Sequence, residues 1–378
     1  MTTIDDLLQR WEEHHDSGNP VTPEELCTDT PELLKELKWT IRALQAVDSQ
    51  FGVIQSESDL TVGRQSERPD LAIHERVLIP SEYSIERLHA SGGLGTVYLA
   101  RDPVLNRRVA IKFPRWHRLT PDQAARFERE ARVTGRLDHP GIIPVHAMRT
   151  DSEDRPCYVM RFVDGETLQS RIQRLHASSP ATKPSSFFET NEFRQLLQNL
   201  VAVCNIVAYA HEQGVIHRDI KPANIISGPF GEVLLLDWGL AKVAGESTED
   251  LLSNPQGRPD FDTLETRDGE VLGTPAFASP EQLLARADEI TTLSDVYSLG
   301  ATLFVLLTGS VSSGSSAFHE HLNRLKHGDR FSVHQQNPSI PAALEAICRQ
   351  AMAIDPAQRY GSALQLADDL NCYLSGEA

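Results

Sequence analysis

The sequence predicts an α+β fold in which a small β-sheet lobe precedes a larger helical lobe. The first observation is the order of the patterns: short β-rich runs separated by turns extend from residue 83 to residue 162, and the chain is mainly helical after about residue 190. Strands followed by helices indicate an α+β arrangement. The second observation is charge. Residues 1–82 carry 17 acidic and 7 basic side chains, and the rest of the chain carries 36 and 29, which predicts a boundary near residue 82.

The first fifty residues are predicted to form short helices. One helix begins at a capping box made by Thr22 and Glu25, with Pro23 at the first helical position. A unit of about fifty residues buries too little surface to be stable alone, so we expect it to pack on the main domain or on a partner. The predicted divisions of the chain are a helical module at residues 1–50, a linker at 51–82, the main domain at 83–374 and a tail at 375–378.

Five strands and one helix are predicted in the sheet lobe. The helix begins at Thr120-Pro121 and has Gln123 at the capping-box position, and a hinge to the helical lobe is expected near residues 161–165. The predicted strands cover residues 84–88, 96–100, 108–113, 142–148 and 157–162.

Two long uncharged stretches are predicted to be buried helices of the larger lobe. Residues 195–210 contain Gln198, Asn199 and Asn205, and the second half of residues 296–318 is rich in glycine and serine. These features are typical of buried core helices rather than of membrane spans.

The composition of the chain argues against several classes of protein. A net charge of −17 argues against a nonspecific nucleic-acid binder, which needs a basic surface. The five cysteines include no C-x-x-C pair, and an odd, scattered set is not typical of a disulfide framework. The N-terminus has no signal of basic, then apolar, then small residues. We therefore expect a cytoplasmic protein with no membrane span in this chain and no nucleic-acid partner.

A glycine-rich segment lies between the first two predicted strands, at residues 90–97. Gly92, Gly93 and Gly95 would let backbone N–H groups approach phosphate oxygens closely. A strand follows the segment, whereas dinucleotide-binding folds place a helix there. The alternative is a β-hairpin with a glycine turn, so this segment alone is weak evidence of nucleotide binding.

A lysine ends the apolar run Val109-Ala110-Ile111-Lys112 in the next strand. Burying an unpaired ammonium group is costly, so Lys112 needs a partner. Glu130, in the helix that follows, is the expected counter-charge. The alternative is an edge lysine whose charged end reaches solvent.

The two most informative segments are residues 217–224 and 234–239. They place two carboxylates, a lysine and an asparagine on loops beside short apolar runs, namely Asp219, Asp237, Lys221 and Asn224. Phosphoryl transfer to a hydroxyl needs a carboxylate that accepts or orients the proton, and oxygen ligands that hold Mg²⁺ against nucleotide phosphates. Either segment alone is compatible with a solvated turn, and the two together predict a phosphoryl-transfer site.

With these motifs, residues 83–374 resemble the eukaryotic-like protein kinase domain. The resemblance implies a bilobal fold, with a small antiparallel sheet lobe that contains one helix and a larger helical lobe. It implies ATP and Mg²⁺ as the cofactors. It also implies six catalytic roles: Lys112 would hold the α- and β-phosphates and pair with Glu130, Asp219 would be the catalytic base, Lys221 would contact the γ-phosphate, and Asn224 and Asp237 would bind Mg²⁺.

The resemblance also implies a pocket for ATP. Its members are the glycine-loop residues Ala90, Gly92, Gly93 and Gly95, the roof residues Val97 and Ala110, the gatekeeper Met160, the hinge backbone at Arg161 and Val163, and the floor residue Ile226. Outside the pocket, Glu281 would pair with Arg359, and Asp295 would anchor the catalytic loop.

Two features indicate which residues accept the phosphate, and a third indicates how the kinase is controlled. Lys221, two residues after Asp219, and the segment Gly273-Thr274-Pro275 are similar to serine/threonine kinases. Arg218 is typical of kinases that are controlled by phosphorylation of the activation segment, and Thr274 is expected to be structural. The other candidate phosphorylation sites of this segment are Ser247, Thr248, Ser253, Thr263 and Thr266.

Departures from the family pattern leave alternatives open. Ala90 replaces the first glycine of the loop, Trp238 replaces the usual phenylalanine, and Arg161 stands where the hinge often carries glutamate. The segment from Asp237 to Glu281 is 45 residues long. One alternative is a pseudokinase that acts as a nucleotide-binding or protein-interaction scaffold, and another is a small-molecule kinase of related architecture. No departure removes the base, the lysine or a metal ligand, so an active serine/threonine protein kinase is favoured.

The N-terminal module is similar to a helical segment that precedes kinase domains in planctomycete-type bacteria. The similar residues are Glu24-Glu25-Leu26-Cys27 and Pro31-Glu32-Leu33-Leu34. We therefore expect a bacterial kinase that acts on serine and threonine hydroxyls of protein substrates and that self-associates for autophosphorylation.

Overall fold

The structure is a computed structural model of the 378-residue chain. It describes residues 21–27, 83–92, 95–114, 121–151, 155–177, 184–243, 275–283, 289–309 and 337–377. The chain divides into two units. Residues 21–27, 275 and 276 belong to the smaller unit, and all other described residues belong to the larger one. The predicted linker lies outside the described residues, so the division at residues 50, 82 and 374 stays a prediction.

Helix α1 (Pro23–Leu26) is the described part of the N-terminal module. The Thr22 N–H donates to Glu25 Oε2 at 2.9 Å, and the Glu25 N–H donates to Thr22 Oγ1 at 3.4 Å. These are the two reciprocal bonds of a capping box, so the predicted helix start is confirmed. The other helices predicted in residues 1–50 lie outside the described residues.

Five antiparallel strands form the main sheet of the larger unit, in the order β1-β2-β3-β5-β4. Val109, Ile111 and Phe113 alternate along β3 and share one buried face. Because every predicted strand has a counterpart, the sheet lobe is confirmed. The strands are β1 (Ser84–Gly92), β2 (Gly95–Asp102), β3 (Arg107–Phe113), β4 (Val145–Thr150) and β5 (Pro156–Arg161).

The predicted start of the fourth strand at residue 142 is wrong, because β4 begins at Val145. Ile142 instead makes a single parallel bridge with Leu235 of another sheet. Pro144 has no N–H to donate to a strand ladder. The two isoleucines before it are both buried, and Ile143 packs in a cluster with Val163 and Leu234. A run of apolar residues indicates burial but not whether the residues belong to a strand of the main sheet.

Helix α2 (Pro121–Arg136) packs on the sheet. Phe127 and Ala131 are four residues apart on one face, and both contact Tyr158 of β5. The ring centroids of Phe127 and Tyr158 are 5.1 Å apart. The one helix predicted for this lobe is therefore present, although its predicted cap at Thr120 lies outside the described residues.

Among the described helices of the helical lobe, α6 is buried along most of its length. Every residue of α6 from Ser294 to Leu307 is buried, and α4 includes the uncharged stretch at residues 195–210. The described parts of both uncharged stretches are thus helices of the core, as predicted. The helices are α3 (Leu168–Ala177), α4 (Asn191–Glu212), α5 (Pro280–Leu283), α6 (Thr292–Thr308), α7 (Ala342–Ala351) and α8 (Ala363–Ser375). Within the described part of the chain, no helix has both the length and the apolar character that crossing a membrane requires.

Short strands position the loops that carry the predicted catalytic residues. Strands β6 (Glu166–Thr167), β8 (Ile225–Ser227) and β9 (Val233–Leu235) form one antiparallel sheet. Strands β7 (Val215–Ile216) and β10 (Lys242–Val243) form another. The loop from β7 to β8 and the loop from β9 to β10 therefore begin and end on paired strands.

Candidate active site

The loop between β7 and β8 brings three predicted catalytic side chains together. Asp219 Oδ2 lies 2.9 Å from Lys221 Nζ. It also accepts a hydrogen bond from Asn224 Nδ2 at 3.1 Å, and the same Nδ2 donates to the Asp219 carbonyl at 2.9 Å. Both bonds use the amide nitrogen of Asn224 and not its oxygen Oδ1, which is the atom that could bind a cation.

Asp295 of α6 holds the backbone of this loop. Its Oδ2 accepts the His217 N–H and its Oδ1 accepts the Arg218 N–H, both at 2.8 Å. His211 Nε2 of α4 lies 2.8 Å from Oδ2. Burial opposes ionisation of this carboxyl, but the hydrogen bonds and the charge of His211 outweigh burial and lower the pKa of Asp295. The loop is therefore anchored by a carboxylate that stays charged.

Arg218 and Asp237, in the loops that carry the predicted catalytic residues, have a left-handed backbone. The φ angle is 72° at Arg218 and 64° at Asp237. A residue with a Cβ adopts this region at an energetic cost, so neighbouring contacts must hold it. Gln282 Nε2 of α5 donates to the Arg218 carbonyl at 2.8 Å, and the Leu236 N–H donates to the Asn224 carbonyl at 2.8 Å.

Asp237 follows β9 and has a buried oxygen without a partner. Among the described residues, no group forms a hydrogen bond with its Oδ1. A buried polar atom in this state is costly, and Mg²⁺ prefers carboxylate and amide oxygens as ligands. Asp237 lies beside Asn224, because the bond from Leu236 joins their two loops. These residues therefore fit a magnesium ion.

Lys112 of β3 and Glu130 of α2 form a buried ion pair, with Nζ 2.6 Å from Oε1. Burial raises the pKa of the Glu130 carboxyl. The Lys112 ammonium opposes this shift, and the Asp237 carboxylate adds to it. The counter-charge that the sequence predicts is thus in contact with Lys112, and the edge-lysine alternative does not apply because only 11% of the Lys112 side chain is exposed and its ammonium group is paired with Glu130.

The predicted roof, gatekeeper and floor residues lie on neighbouring strands. Val97 is opposite Lys112 on β2 and β3, and Ala110 is opposite Met160 on β3 and β5. Met160, Val163 and Ile226 belong to one apolar cluster. Arg161 ends β5, and its N–H donates to the Pro144 carbonyl at 3.1 Å.

The described parts of the glycine-rich segment are the paired ends of β1 and β2. Ala90 pairs with Val97, and Gly92 pairs with Gly95, whereas Gly93 lies outside the described residues. A Cβ at Gly95 would lie 2.3 Å from the Phe113 carbonyl oxygen. Glycine is therefore required there by the close approach of β2 to β3, independently of any phosphate.

Trp238, the departure beside Asp237, is fully buried. Its Nε1–H donates to the Leu235 carbonyl at 3.3 Å, and its ring centroid lies 4.6 Å from that of His217. Because the indole N–H has a partner, the tryptophan is accommodated without an unsatisfied polar group.

Glu281 of α5 and Arg359 form a second buried ion pair. Arg359 Nη1 and Nη2 bind the two carboxylate oxygens at 2.8 and 2.9 Å, which is the bidentate geometry that favours arginine. Ser294 Oγ donates to the same carboxylate at 2.7 Å. Although burial opposes ionisation, Arg359 and Ser294 lower the pKa of Glu281.

This arrangement has counterparts among known proteins. The family described as protein kinase domain matches residues 83–370. The chain belongs to the protein kinase family. The bilobal α+β kinase fold that the sequence predicts is confirmed.

Relatives of this protein kinase domain include bacterial serine/threonine kinases, which agrees with the predicted bacterial family. The serine/threonine-protein kinase PknD of Protochlamydia amoebophila is 36% identical over 302 residues, covering 78% of this chain and 30% of the relative. PknD of Chlamydia pneumoniae is 34% identical over 306 residues, covering 78% and 31%. The chain thus spans less than a third of the length of these curated relatives. The crystal structure of the PknI kinase domain of Mycobacterium tuberculosis is 25% identical, with a TM-score of 0.51, and covers 77% of this chain and 96% of that one.

The activation segment of this kinase domain is described only at its two ends. Residues 237–243 and 275–283 are described. The candidate phosphorylation sites Ser247, Thr248, Ser253, Thr263, Thr266 and Thr274 lie outside the described residues.

Three contacts of the kinase site were missed by sequence reasoning. Tyr158 Oη donates to Glu130 at 2.7 Å, Gln282 supports Arg218 as described above, and Arg129 donates to the Ala241 carbonyl. Of these residues only Tyr158 carries a signal in the sequence, as the one hydroxyl-bearing side chain in the run Cys157-Tyr158-Val159-Met160.

Proposed function

We propose that this kinase domain transfers the γ-phosphate of ATP to serine and threonine hydroxyls of protein substrates, with Mg²⁺ as its metal ion. The observation that carries the proposal is the buried, unpartnered Oδ1 of Asp237 beside the loop that joins Asp219, Lys221 and Asn224. The names of the PknD relatives, both serine/threonine-protein kinases, support it. Lys221 also supports the proposal, because a lysine two residues after Asp219 is similar to the pattern of serine/threonine kinases.

Asp219 would act as the base. As the acceptor hydroxyl oxygen bonds to the γ-phosphorus and the bond to ADP breaks, Asp219 Oδ2 would take the hydroxyl proton. Lys221 Nζ, 2.9 Å from that oxygen, would offset negative charge on the transferred phosphoryl group. Asn224 would keep the carboxylate oriented through its Nδ2 bonds.

Asn224 and Asp237 would hold Mg²⁺ through their side-chain oxygens. When bound, the ion neutralises charge on the nucleotide phosphates. The strained φ of Asp237 is consistent with such a role, because unfavourable backbone conformations cluster at functional sites.

Lys112 would orient the α- and β-phosphates while Glu130 holds its ammonium group. The apolar cluster around Met160, Val163 and Ile226 supports an adenine site between β3, β5 and β8. The remaining residues of the proposed ATP site are Ala90, Gly92, Gly93, Gly95, Val97, Ala110 and Arg161.

We further propose that phosphorylation of the activation segment controls the enzyme. Burial lowers the pKa of the Arg218 guanidinium, Asp295 opposes this shift and the nearby charge of Arg129 adds to it. Arg218 and Arg129 thus interact as like charges, and a phosphate group would relieve that repulsion. Self-association would allow one copy to phosphorylate another.

A cytoplasmic location is part of the proposal. All five cysteines lie in described residues, and no disulfide joins any two of them, which agrees with a reducing compartment.

The test is phosphoryl transfer from labelled ATP to a generic protein acceptor in the presence of Mg²⁺, followed by identification of the phosphorylated amino acid. We expect phosphoserine and phosphothreonine. Asp219→Asn should abolish transfer and still give a thermal shift with Mg²⁺-ATP, whereas Asp237→Ala should lose both. A wild type without any thermal shift from Mg²⁺ and ATP would support the alternative of a protein-interaction scaffold and overturn the enzyme proposal.

A further inference from the structure

Tyr158 makes a second hydrogen bond to the glutamate of the buried ion pair. Its Oη donates to Glu130 Oε1 at 2.7 Å, and Lys112 Nζ donates to the same oxygen at 2.6 Å. Two donors from the sheet therefore converge on one carboxylate oxygen. Packing alone does not require the hydroxyl, because a phenylalanine would bury the same ring.

The sheet holds the Tyr158 hydroxyl in place. Lys112 and Tyr158 are cross-strand partners on β3 and β5, so their side chains leave the sheet on the same face. The buried Tyr158 ring packs against Phe127 and Ala131 of α2. A buried hydroxyl without a partner is costly, and Glu130 is its partner. The tyrosine thus links the sheet to α2 through both its ring and its hydroxyl.

We propose that Tyr158 is a positioning residue for phosphoryl transfer, whose hydroxyl fixes the Glu130 carboxylate and, through it, Lys112. The proposal rests on the proposed roles of Lys112 and Glu130. A lysine ammonium is a mobile point charge with three donors, and Lys112 has to divide them between Glu130 and the ATP phosphates. A second donor keeps the carboxylate oriented while Lys112 turns toward the nucleotide.

The variant Tyr158→Phe removes the hydroxyl and keeps the ring. We expect kcat/KM for ATP to fall about 10-fold. The KM for the protein acceptor should not change, because the acceptor hydroxyl is handled by Asp219. A wild-type value of kcat/KM for ATP in Tyr158→Phe overturns the proposal.

A matched control is available in the helical lobe. Tyr360 Oη donates to Asp369 Oδ2 at 2.7 Å, and the Tyr360 ring is also buried. Tyr360→Phe removes an equivalent tyrosine–carboxylate bond away from the site and should leave kcat/KM unchanged. An equal loss in both variants would indicate a general loosening of the fold and would overturn the positioning role.

Combining Tyr158→Phe with Glu130→Gln tests whether Tyr158 acts through Glu130. If Tyr158 acts through Glu130, adding Tyr158→Phe to Glu130→Gln should lower kcat/KM by less than about 2-fold further. An undiminished loss of about 10-fold in that background would show that Tyr158 acts by another route, and the proposal would be wrong.

Amide hydrogen exchange supplies a measurement that does not need activity. Exchange in α2 should become faster in Tyr158→Phe and not in Tyr360→Phe, because the helix loses one of its links to the sheet. Unchanged exchange in α2 overturns the proposal. An inactive wild type would contradict the proposed function, whereas an active wild type with an unaffected Tyr158→Phe overturns only the positioning role.

Discussion

Two buried glutamate–cation pairs lie in the same kinase domain and differ in their electrostatics. Glu130 is paired with Lys112 through one carboxylate oxygen, and burial raises its pKa. Glu281 is paired with Arg359 through both oxygens, and its pKa is lowered although it is buried as well.

Burial is the largest influence on the pKa of each glutamate and opposes ionisation in both, and the partners differ in how far they offset it. Arginine offers a planar fork that matches a carboxylate, and lysine offers a point charge. Arg359 also donates to the carbonyls of Leu293 and Ala353, so its pair is satisfied by protein groups. Near Glu130 the second carboxylate of Asp237 adds negative charge. A pair that the protein balances by itself is typical of a structural role, whereas a perturbed pair with excess negative charge beside it is typical of a functional site, which agrees with the roles proposed for Lys112 and Glu130.

Lys112→Met should have the largest effect on activity. We expect phosphoryl transfer to fall by at least about 10²-fold, because a charge aimed at the phosphates is lost. Initial rates at saturating acceptor measure it. Arg108→Met, an exposed change on the same strand, should keep the wild-type rate. If Lys112→Met retains that rate, another lysine must orient the phosphates.

Arg359→Met should have the largest effect on stability. It leaves Glu281 as a buried charge without its cation, which costs about 3–5 kcal/mol. Urea unfolding of the two proteins measures the loss. The control is Arg132→Met, which removes an exposed ion pair with Glu128 and should change the unfolding midpoint little. Equal urea midpoints for wild type and Arg359→Met would contradict the structural role of the Glu281–Arg359 pair.

Lowering the pH should change the contributions of Glu281 and Glu130 to folding stability in opposite directions. Since the pKa of Glu281 is lower in the folded state, its pair stabilises the fold above the unfolded pKa, and this contribution is lost as the pH falls through the folded pKa. Since the pKa of Glu130 is raised, its charged form costs stability, and protonation relieves that cost as the pH falls. Urea midpoints below about pH 5 should therefore decline less in Glu281→Gln than in wild type. In Glu130→Gln, which loses the relief on protonation, the midpoint should decline at least as steeply as in wild type in the pH range just above the unfolded pKa of glutamate. A shallower decline there, or a steeper decline in Glu281→Gln than in wild type at lower pH, would contradict the assignment.

Trp238→Phe should have the smallest effect on catalysis. The residue is buried packing beside Asp237 and uses its indole N–H only for the Leu235 carbonyl. We expect most of the activity to remain, with a loss of stability of about 1–3 kcal/mol from reduced volume. Kinase assays and urea unfolding on the same samples separate the two effects. A loss of activity as large as that of Lys112→Met would assign the tryptophan to the site itself.

Much of the site was predictable because its residues are close in sequence. Asp219, Lys221 and Asn224 lie within six residues of chain, so a single loop is enough to bring them together. The capping box at Thr22 and the buried helix around Asp295 were predictable for the same reason, since both follow from local patterns. The start of β4 was not, because Ile142 is buried and forms a backbone bridge with Leu235 of another sheet. The apolar pattern of a segment indicates that its residues are buried and does not indicate which strand they pair with.

The amino-acid sequence by itself determined the kinase family, the order of strands and helices, and the set of candidate catalytic side chains, because these depend on short motifs and local periodicity. Only the tertiary structure decided which distant groups meet. Tyr158 reaches Glu130 across 28 residues of chain, Gln282 reaches Arg218 across 64, and Arg129 reaches Ala241 across 112. Such contacts depend on strand register and helix packing. The sequence around a hydrogen-bonding side chain does not indicate which distant group will be its partner.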